Sequence, residues 1–180
     1  YSREKQKSWG ISYFTDQAAC PFRGYAIHRL GSRALEEPTP GLTKKVQGVL
    51  AHEVLAKLWA NLKSLENLKS KNNEELSSLV FESIEDIFKK FKTHESYESP
   101  IVKIEKSRLS KLVLEWIEFE QLGENFEVVG IEKKLHGDVC DISLSCRLDR
   151  LDKLSDGSLR LIDYKTGAFS KGDFEPPRIN

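Results

Sequence analysis

Apolar residues recur along this chain with two different periods, and the change of period divides it. Up to about residue 122 the spacing is helical. Ala51, Val54, Leu55, Leu58, Trp59 and Leu62 fall on one arc at 3.6-residue spacing, which predicts a helix from about Lys44 to Leu62. Leu76, Leu79, Val80, Ile84, Ile87, Phe88 and Phe91 form a second stripe, and Leu109, Leu112, Val113, Trp116 and Ile117 a third. Ser99-Pro100 separates these two helices. Their aromatics read as core, because they sit on apolar faces and do not interleave with basic residues. Residues 12 to 30 also read as helical, broken near Cys20-Pro21, since proline is tolerated in a first turn but not inside a helix, and closed by Gly31. Glu36 to Gly41 is a loop by its proline and glycine content, and the polar stretch from residue 63 to 75 reads as a solvated helix end and loop.

After Gly123 the period shortens to two. Phe126 to Leu135 has strand character, with Val129 and Ile131 on one face and Glu132 on the other, and His136-Gly137-Asp138 is expected to turn the chain into the next strand. There Cys140, Ile142, Leu144, Cys146 and Leu148 share an apolar face, while Asp141, Ser143, Ser145, Arg147 and Asp149 share the polar one. Asp149 is thereby expected to point away from the core. Ser155-Asp156-Gly157-Ser158 is a hairpin signal, after which Leu159-Arg160-Leu161-Ile162 leads to Asp163 and Lys165. Two residues apart, these last two project from one face. The pattern predicts a mixed α/β fold: a tail over residues 1–10, a mainly helical stretch over 12–122, and a small sheet over 126–167, with helices packed around the sheet.

Composition narrows the partners. Of 180 residues, 28 are lysine or arginine and 28 are aspartate or glutamate, so the chain has no global basic footprint and any nucleic-acid contact must come from a local patch. The length suits one domain with one core, needing no disulfide. Three widely spaced cysteines fit a reducing compartment, and no apolar run approaches the ~20 residues of a membrane span, so a cytoplasmic protein is expected. A polar start at Tyr1 without an initiator methionine, and an end at Pro176-Pro177-Arg178-Ile179-Asn180, suggest a domain cut from a larger protein. No glycine-rich phosphate loop is present, which leaves no nucleotide pocket or helicase motor in this chain.

The chemistry concentrates at residues 147–167. Carboxylates gathered at one place raise each other's pKa unless a cation sits between them, and a hard divalent metal is the usual solution. With a lysine beside it, such a centre suits phosphodiester hydrolysis. Taken alone, Asp163-Tyr164-Lys165 favours the plainer reading, a solvated hairpin end with an ion pair worth about a kcal/mol or less. His52 alone reads as a boundary residue of its helix, and Glu132 as solvent-facing.

Asp163-Tyr164-Lys165-Thr166-Gly167, preceded by Arg147-Leu148-Asp149-Arg150-Leu151-Asp152, resembles the PD-(D/E)XK nuclease superfamily in its RecB-like exonuclease branch. Cys20-Pro21-Phe22-Arg23 with Arg29-Leu30 is similar to the N-terminal signature of that branch, and Gly48-Val49-Leu50-Ala51-His52 to its Gly-x-x-x-His helix. The layout, including Gln17-Ala18-Ala19 and Leu58-Trp59, most resembles a bacterial group of DNA repair proteins in which the domain follows a helicase-like region.

The resemblance implies a restriction-endonuclease-like fold and a metal-dependent DNA exonuclease acting on DNA ends in repair or recombination. His52, Asp149 and Asp163 would bind Mg²⁺ or Mn²⁺, with the backbone carbonyl of Tyr164 as a further oxygen. Glu132 would bind metal or orient water, and Lys165 would position the attacking water. Gly48 would allow a close approach of neighbouring backbone. Arg147, Arg150 and Lys133 are candidates for phosphate contacts, or are solvated charges. Gln47 stands where relatives often carry arginine, and the tyrosine and glutamine motif that usually follows the lysine is absent. In some relatives the counterpart of Cys20 helps hold an iron-sulfur cluster with three cysteines beyond the lysine; this chain has none after Cys146, so Cys20 reads as a plain buried thiol. The rival reading is a non-catalytic DNA-binding or scaffold module on the same architecture. Hydrolysis of another phosphate ester is a third.

Overall fold

The computed structural model describes residues 9–35, 41–91, 99–139 and 142–167. They fall into two compact units: the described residues within Tyr1–Pro38 and Glu132–Leu148 form the first, and those within Thr39–Ile131 and Asp149–Asn180 the second. The expected loop at residues 36–40, the strand positions Cys140 and Asp141, and both chain ends lie outside the described residues.

The second unit carries the core. Its first helix, α3 (Lys44–Leu62), begins where Thr43 accepts the Val46 N–H on its hydroxyl, and it buries Leu50, Ala51, Val54, Leu55, Leu58, Trp59 and Leu62. Each such leucine contributes about 1.5–3 kcal/mol relative to exposure. Lys63 ends the helix in the left-handed region at φ 63°, and its carbonyl accepts the Val128 N–H at 2.7 Å, tying the helix end to a strand. Ser64 then caps a short helix, α4 (Leu65–Lys69). The stretch expected to be solvated loop therefore buries Leu65 and Leu68 on one helical face. Asn72 and Glu75 form a reciprocal capping box that starts α5 (Asn73–Lys90). Ser99 and Pro100 start α6 (Pro100–Gln121), so the expected break between these helices is where the sequence places it.

Two long strands follow, β2 (Phe126–Val139) and β3 (Ile142–Leu154), then β4 (Leu159–Ile162). β3 and β4 form the expected antiparallel hairpin, with Lys153 opposite Leu159 and Arg150 opposite Ile162. Its turn is closed by Gly157 at φ 84° and by Asp156, whose carboxylate accepts the Ser158 N–H at 2.9 Å. Phe126, Val128, Leu154, Ile162 and Tyr164 pack with the buried faces of α3, α5 and α6. His136-Gly137-Asp138 is not a turn: β2 runs through it to Val139.

In the first unit, α1 (Ile11–Ala19) meets α2 (Pro21–His28) at a corner where Cys20 is extended and Pro21 opens the second helix. Asp16 joins the two helices, pairing with Arg23 Nε and His28 Nε2 at 2.9 Å each. Gly24 permits this, since a Cβ there would lie 3.1 Å from the Gln17 Cα. Cys20 is exposed rather than buried, because it sits at the corner outside both helical faces. A two-residue strand, β1 (Trp9–Gly10), runs parallel to β3, pairing Trp9 with Leu144 and Gly10 with Ser145. β3 is thus the central strand of a small mixed sheet in the order β1-β3-β2, with β4 also on β3. The architecture is the expected α/β one. Among the described residues no helix is long and apolar enough to cross a membrane.

Candidate metal centre

Asp149 is the first residue of β3 that belongs to the second unit, and from there the strand is covered on both faces. Residues 149 to 152 are all buried, so the strand face that carries Asp149, expected to lie away from the core, is covered here as well. A carboxylate in that position needs partners on both oxygens. It has them: Oδ2 accepts the backbone N–H of Tyr164 at 2.7 Å, and Oδ1 lies 3.1 Å from His52 Nδ1.

α3 delivers His52 from the edge of its apolar arc, half-buried, one turn beyond Gly48. A Cβ on Gly48 would stand 3.2 Å from the Thr166 hydroxyl, so the missing side chain leaves room for the strand end that carries the lysine. The expected close approach is present, made to a side chain. Gln47 donates to Glu105 at 2.8 Å and is occupied within the helical layer.

Past Ile162 the chain keeps alternating. Tyr164 turns inward and is buried, its ring edge-on to His52 and Trp116 with centroids 6.1 and 5.7 Å away. Asp163 and Lys165 turn outward, exposed, with Nζ 2.5 Å from Asp163 Oδ2. The hydrogen bond to Asp163 raises the Lys165 pKa above the usual lysine value against the cost of burial, and the charges of Asp163 and Asp149 add to the rise. Lys165 stays an ammonium, in the field of both carboxylates. Within one unit, therefore, Asp149 meets His52 and the Tyr164 N–H, and Lys165, paired with Asp163, lies within the field of Asp149.

Beneath them lies an ionic layer that sequence reasoning missed. Arg150, 1% exposed, is stacked over Trp59 at 4.1 Å, donates to the Tyr164 hydroxyl at 3.0 Å, and pairs with Glu120 and Asp152 at 2.8 Å each. Arg160 reaches the same Asp152 at 2.9 Å. Burial opposes the charge on Arg150, yet Tyr164, Asp152 and Glu120 together raise its pKa. Burial likewise pushes the Tyr164 phenol well above the usual tyrosine range, with Arg150 opposing. The proposed phosphate contact at Arg150 is therefore corrected: its guanidinium is spent inside the protein, where it holds up the tyrosine between Asp163 and Lys165. The signal available was a strand with charges on successive residues, Asp149-Arg150-Leu151-Asp152, which leaves no face free of them.

In the first unit, Glu132 pairs with Arg147 and stands at φ 50°, a left-handed conformation uncommon outside glycine and concentrated at functional sites. Arg147 is half-exposed and Lys133 exposed, as phosphate contacts require.

The donor set of the second unit, an imidazole nitrogen and carboxylate oxygens, suits a divalent ion of the Mg²⁺ or Mn²⁺ type, with imidazole favouring the latter. Buried Asp149, held by a backbone N–H, is the kind of pre-oriented ligand such a site needs.

The family model of the PD-(D/E)XK nuclease superfamily matches residues 9–177, nearly the whole chain. Among curated proteins, one subunit of the ATP-dependent helicase/deoxyribonuclease of Streptococcus pyogenes serotype M3 is 44% identical over 57 residues, which is 30% of this chain and 5% of that protein. Its counterparts in serotypes M12 and M6 match with the same identity and coverage. The matched part is thus a small fraction of each relative's own length.

Proposed function

We propose that this chain, which belongs to the PD-(D/E)XK nuclease superfamily, is a metal-dependent deoxyribonuclease, an exonuclease that removes nucleotides from DNA ends in repair or recombination alongside a helicase-like region. A cytoplasmic setting goes with that reading. The observation that carries it is the pair of arrangements on either side of Tyr164: buried Asp149 between His52 and the Tyr164 N–H, and Asp163 holding Lys165 in the open.

His52, Asp149 and Asp163 would hold the ion, with the carbonyl of Tyr164 as a further oxygen and Glu132 as ligand or water-orienting base. A bound Mg²⁺ or Mn²⁺ supplies Lewis-acid polarisation of a phosphoryl oxygen and eases deprotonation of a water. The rest is the work of the chain's own groups. Tyr164 N–H orients Asp149 so that its other oxygen faces His52. Asp163 keeps Lys165 protonated and near the carboxylates, where the ammonium positions the attacking water and offsets charge growing on the phosphate as a point charge. Arg147 and Lys133 would contact flanking phosphates.

End-labelled linear single- and double-stranded DNA incubated with Mg²⁺ or Mn²⁺ tests this. Release of label should require metal and should fall by about 100-fold or more in Lys165→Ala, the scale of losing one charge-stabilising donor. Folded protein that binds DNA and leaves it intact with both metals would replace the nuclease by a scaffold module.

A further inference from the structure

Within the second unit α5 and α6 pack against each other, and a groove of about 800 Å³ lies between their outer faces. Buried Ile84 and half-buried Leu114 give it an apolar floor, and Phe81 on its α5 wall is 61% exposed, although large aromatics are ordinarily well covered. The α6 wall is charged in two blocks. Lys103 and Lys106 stand near the start of the helix, and Glu115 and Glu118 near its end. That order opposes the helix macrodipole, which favours acids at the N-terminus and bases at the C-terminus. α5 follows the dipole, with Glu74 and Glu75 in its first turn and Lys89 and Lys90 in its last, whereas α6 has no acid in its first turn and no base in its last. An order of charge unfavourable to a lone helix becomes favourable beside an antiparallel one.

The α6 residues of the groove are also placed symmetrically about the Ser110–Lys111 peptide. With a two-fold axis at that point, an antiparallel second copy sets Lys103 against Glu118 of the second copy, Lys106 against its Glu115 and Ser107 against its Leu114, and each contact occurs twice. An isologous interface requires this self-complementarity, and a chemically unrelated partner does not. Small Ser107 leaves room for the larger leucine. Lys106 is held by Glu85 at 2.9 Å and Lys103 also has a partner within the chain, while Lys111 and Glu115 stand 3.8 Å apart and exposed. What marks the face is the register of these charges, whether or not each already has a partner in its own chain. We propose that the α5–α6 groove is the face through which two copies of this chain pair, with α6 antiparallel to α6 and the exposed Phe81 covered at the contact. The pairing stands independently of the nuclease reading.

Sedimentation velocity of the full chain over a concentration series reads the association directly, and wild type should pass from monomer to dimer. Lys103→Glu and Glu118→Lys each bring like charges together at both symmetric contacts, so either variant alone should raise the dimer dissociation constant at least about tenfold. Mixed in equal amounts, the two variants should pair again, because each supplies the charge the other lacks. A chain carrying both changes should associate like wild type for the same reason. Both positions are exposed, so thermal melts followed by circular dichroism should not change. Wild type that stays monomeric at every concentration overturns the pairing and leaves the groove to a different protein. A dimer unaffected by either change places the interface elsewhere, and single-variant losses that mixing does not reverse rule out the two-fold register.

Discussion

His52 Nδ1 lies 3.1 Å from Asp149 Oδ1, joining a residue on α3 to one on β3 through a carboxylate that is itself held by the Tyr164 N–H. A helix and a hairpin separated by almost a hundred residues of sequence thereby present one nitrogen and one oxygen to the same point. If that point is a cation site, removing either group should abolish ion binding before it harms the fold. His52→Ala and Asp149→Asn are each expected to weaken Mn²⁺ binding by more than the roughly 10- to 100-fold cost of losing only a ligand's supporting hydrogen bond. Calorimetric titration with Mn²⁺ and the rise in Tm on adding it would show this. Variants that keep the full Mn²⁺-induced rise exclude the pair as ligands.

Arg150 and Arg147 are three residues apart on β3 and should respond to mutation in opposite ways. Arg150 neutralises Glu120 and Asp152, both buried, and Arg160 reaches both as well, so Arg150→Ala leaves two buried carboxylates to one partly exposed arginine and should cost about 3 kcal/mol. Arg147, half-exposed, should cost no more than about 0.5 kcal/mol when changed to alanine. Urea titration of the two variants decides it. Near-wild-type stability of Arg150→Ala would mean that the buried carboxylates find other partners.

Asp86, on α5 and paired with Lys57 of α3, offers a pH-dependent contrast. The hydrogen bond from Lys57, followed by its charge, lowers the Asp86 pKa below the usual aspartate value. A carboxyl whose folded pKa is depressed stabilises the protein above its unfolded pKa of about 4, and the contribution disappears as pH falls through the lower folded value. Asp86→Asn should therefore be less stable than wild type at neutral pH, with the gap closing below about pH 4 as the wild-type carboxyl protonates. Thermal melts across that range would show whether the two curves converge; a gap that persists at low pH would assign the effect to packing.

Helical period and the Asp156-Gly157 turn were readable in the sequence, whereas the course of the chain at His136-Gly137-Asp138, which continues β2, and the partners of charged side chains on a central strand were not. The stripe from Ala51 to Leu62 and the Asp156-Gly157 turn are local, and both stand as expected. Asp149 and Arg150 are different. Alternation assigns them opposite faces, and both faces of β3 are buried at that point, so the charges are satisfied by Tyr164, Glu120 and Asp152 from distant parts of the chain. Leu65 and Leu68 were hidden because two apolar residues make too short a period to stand out in a polar stretch. β1 spans two residues and has no period at all. Of the site, Asp163 and Lys165 were legible from spacing; the inward turn of Tyr164 between them follows from the same alternation, while its role in holding Asp149 depends on a contact fifteen residues away.

Gly48 tests whether the strand end after β4 is held where the chemistry needs it. Alanine in a helix interior is intrinsically favoured over glycine by about 1 kcal/mol. At Gly48 the new Cβ would stand 3.2 Å from the Thr166 hydroxyl, one residue past Lys165, and Thr166 is exposed enough to move aside. Gly48→Ala is therefore expected to leave urea stability within about 1 kcal/mol of wild type, because helix propensity offsets the contact, while shifting Thr166 and with it Lys165 away from Asp149. Misplacement on that scale is costly for a positioned catalytic group, so cleavage should fall by about 10- to 100-fold. Adding Thr166→Ala removes the collision and should restore most of the rate. If the double variant stays as slow as Gly48→Ala alone, the glycine is required for something other than clearance at Thr166.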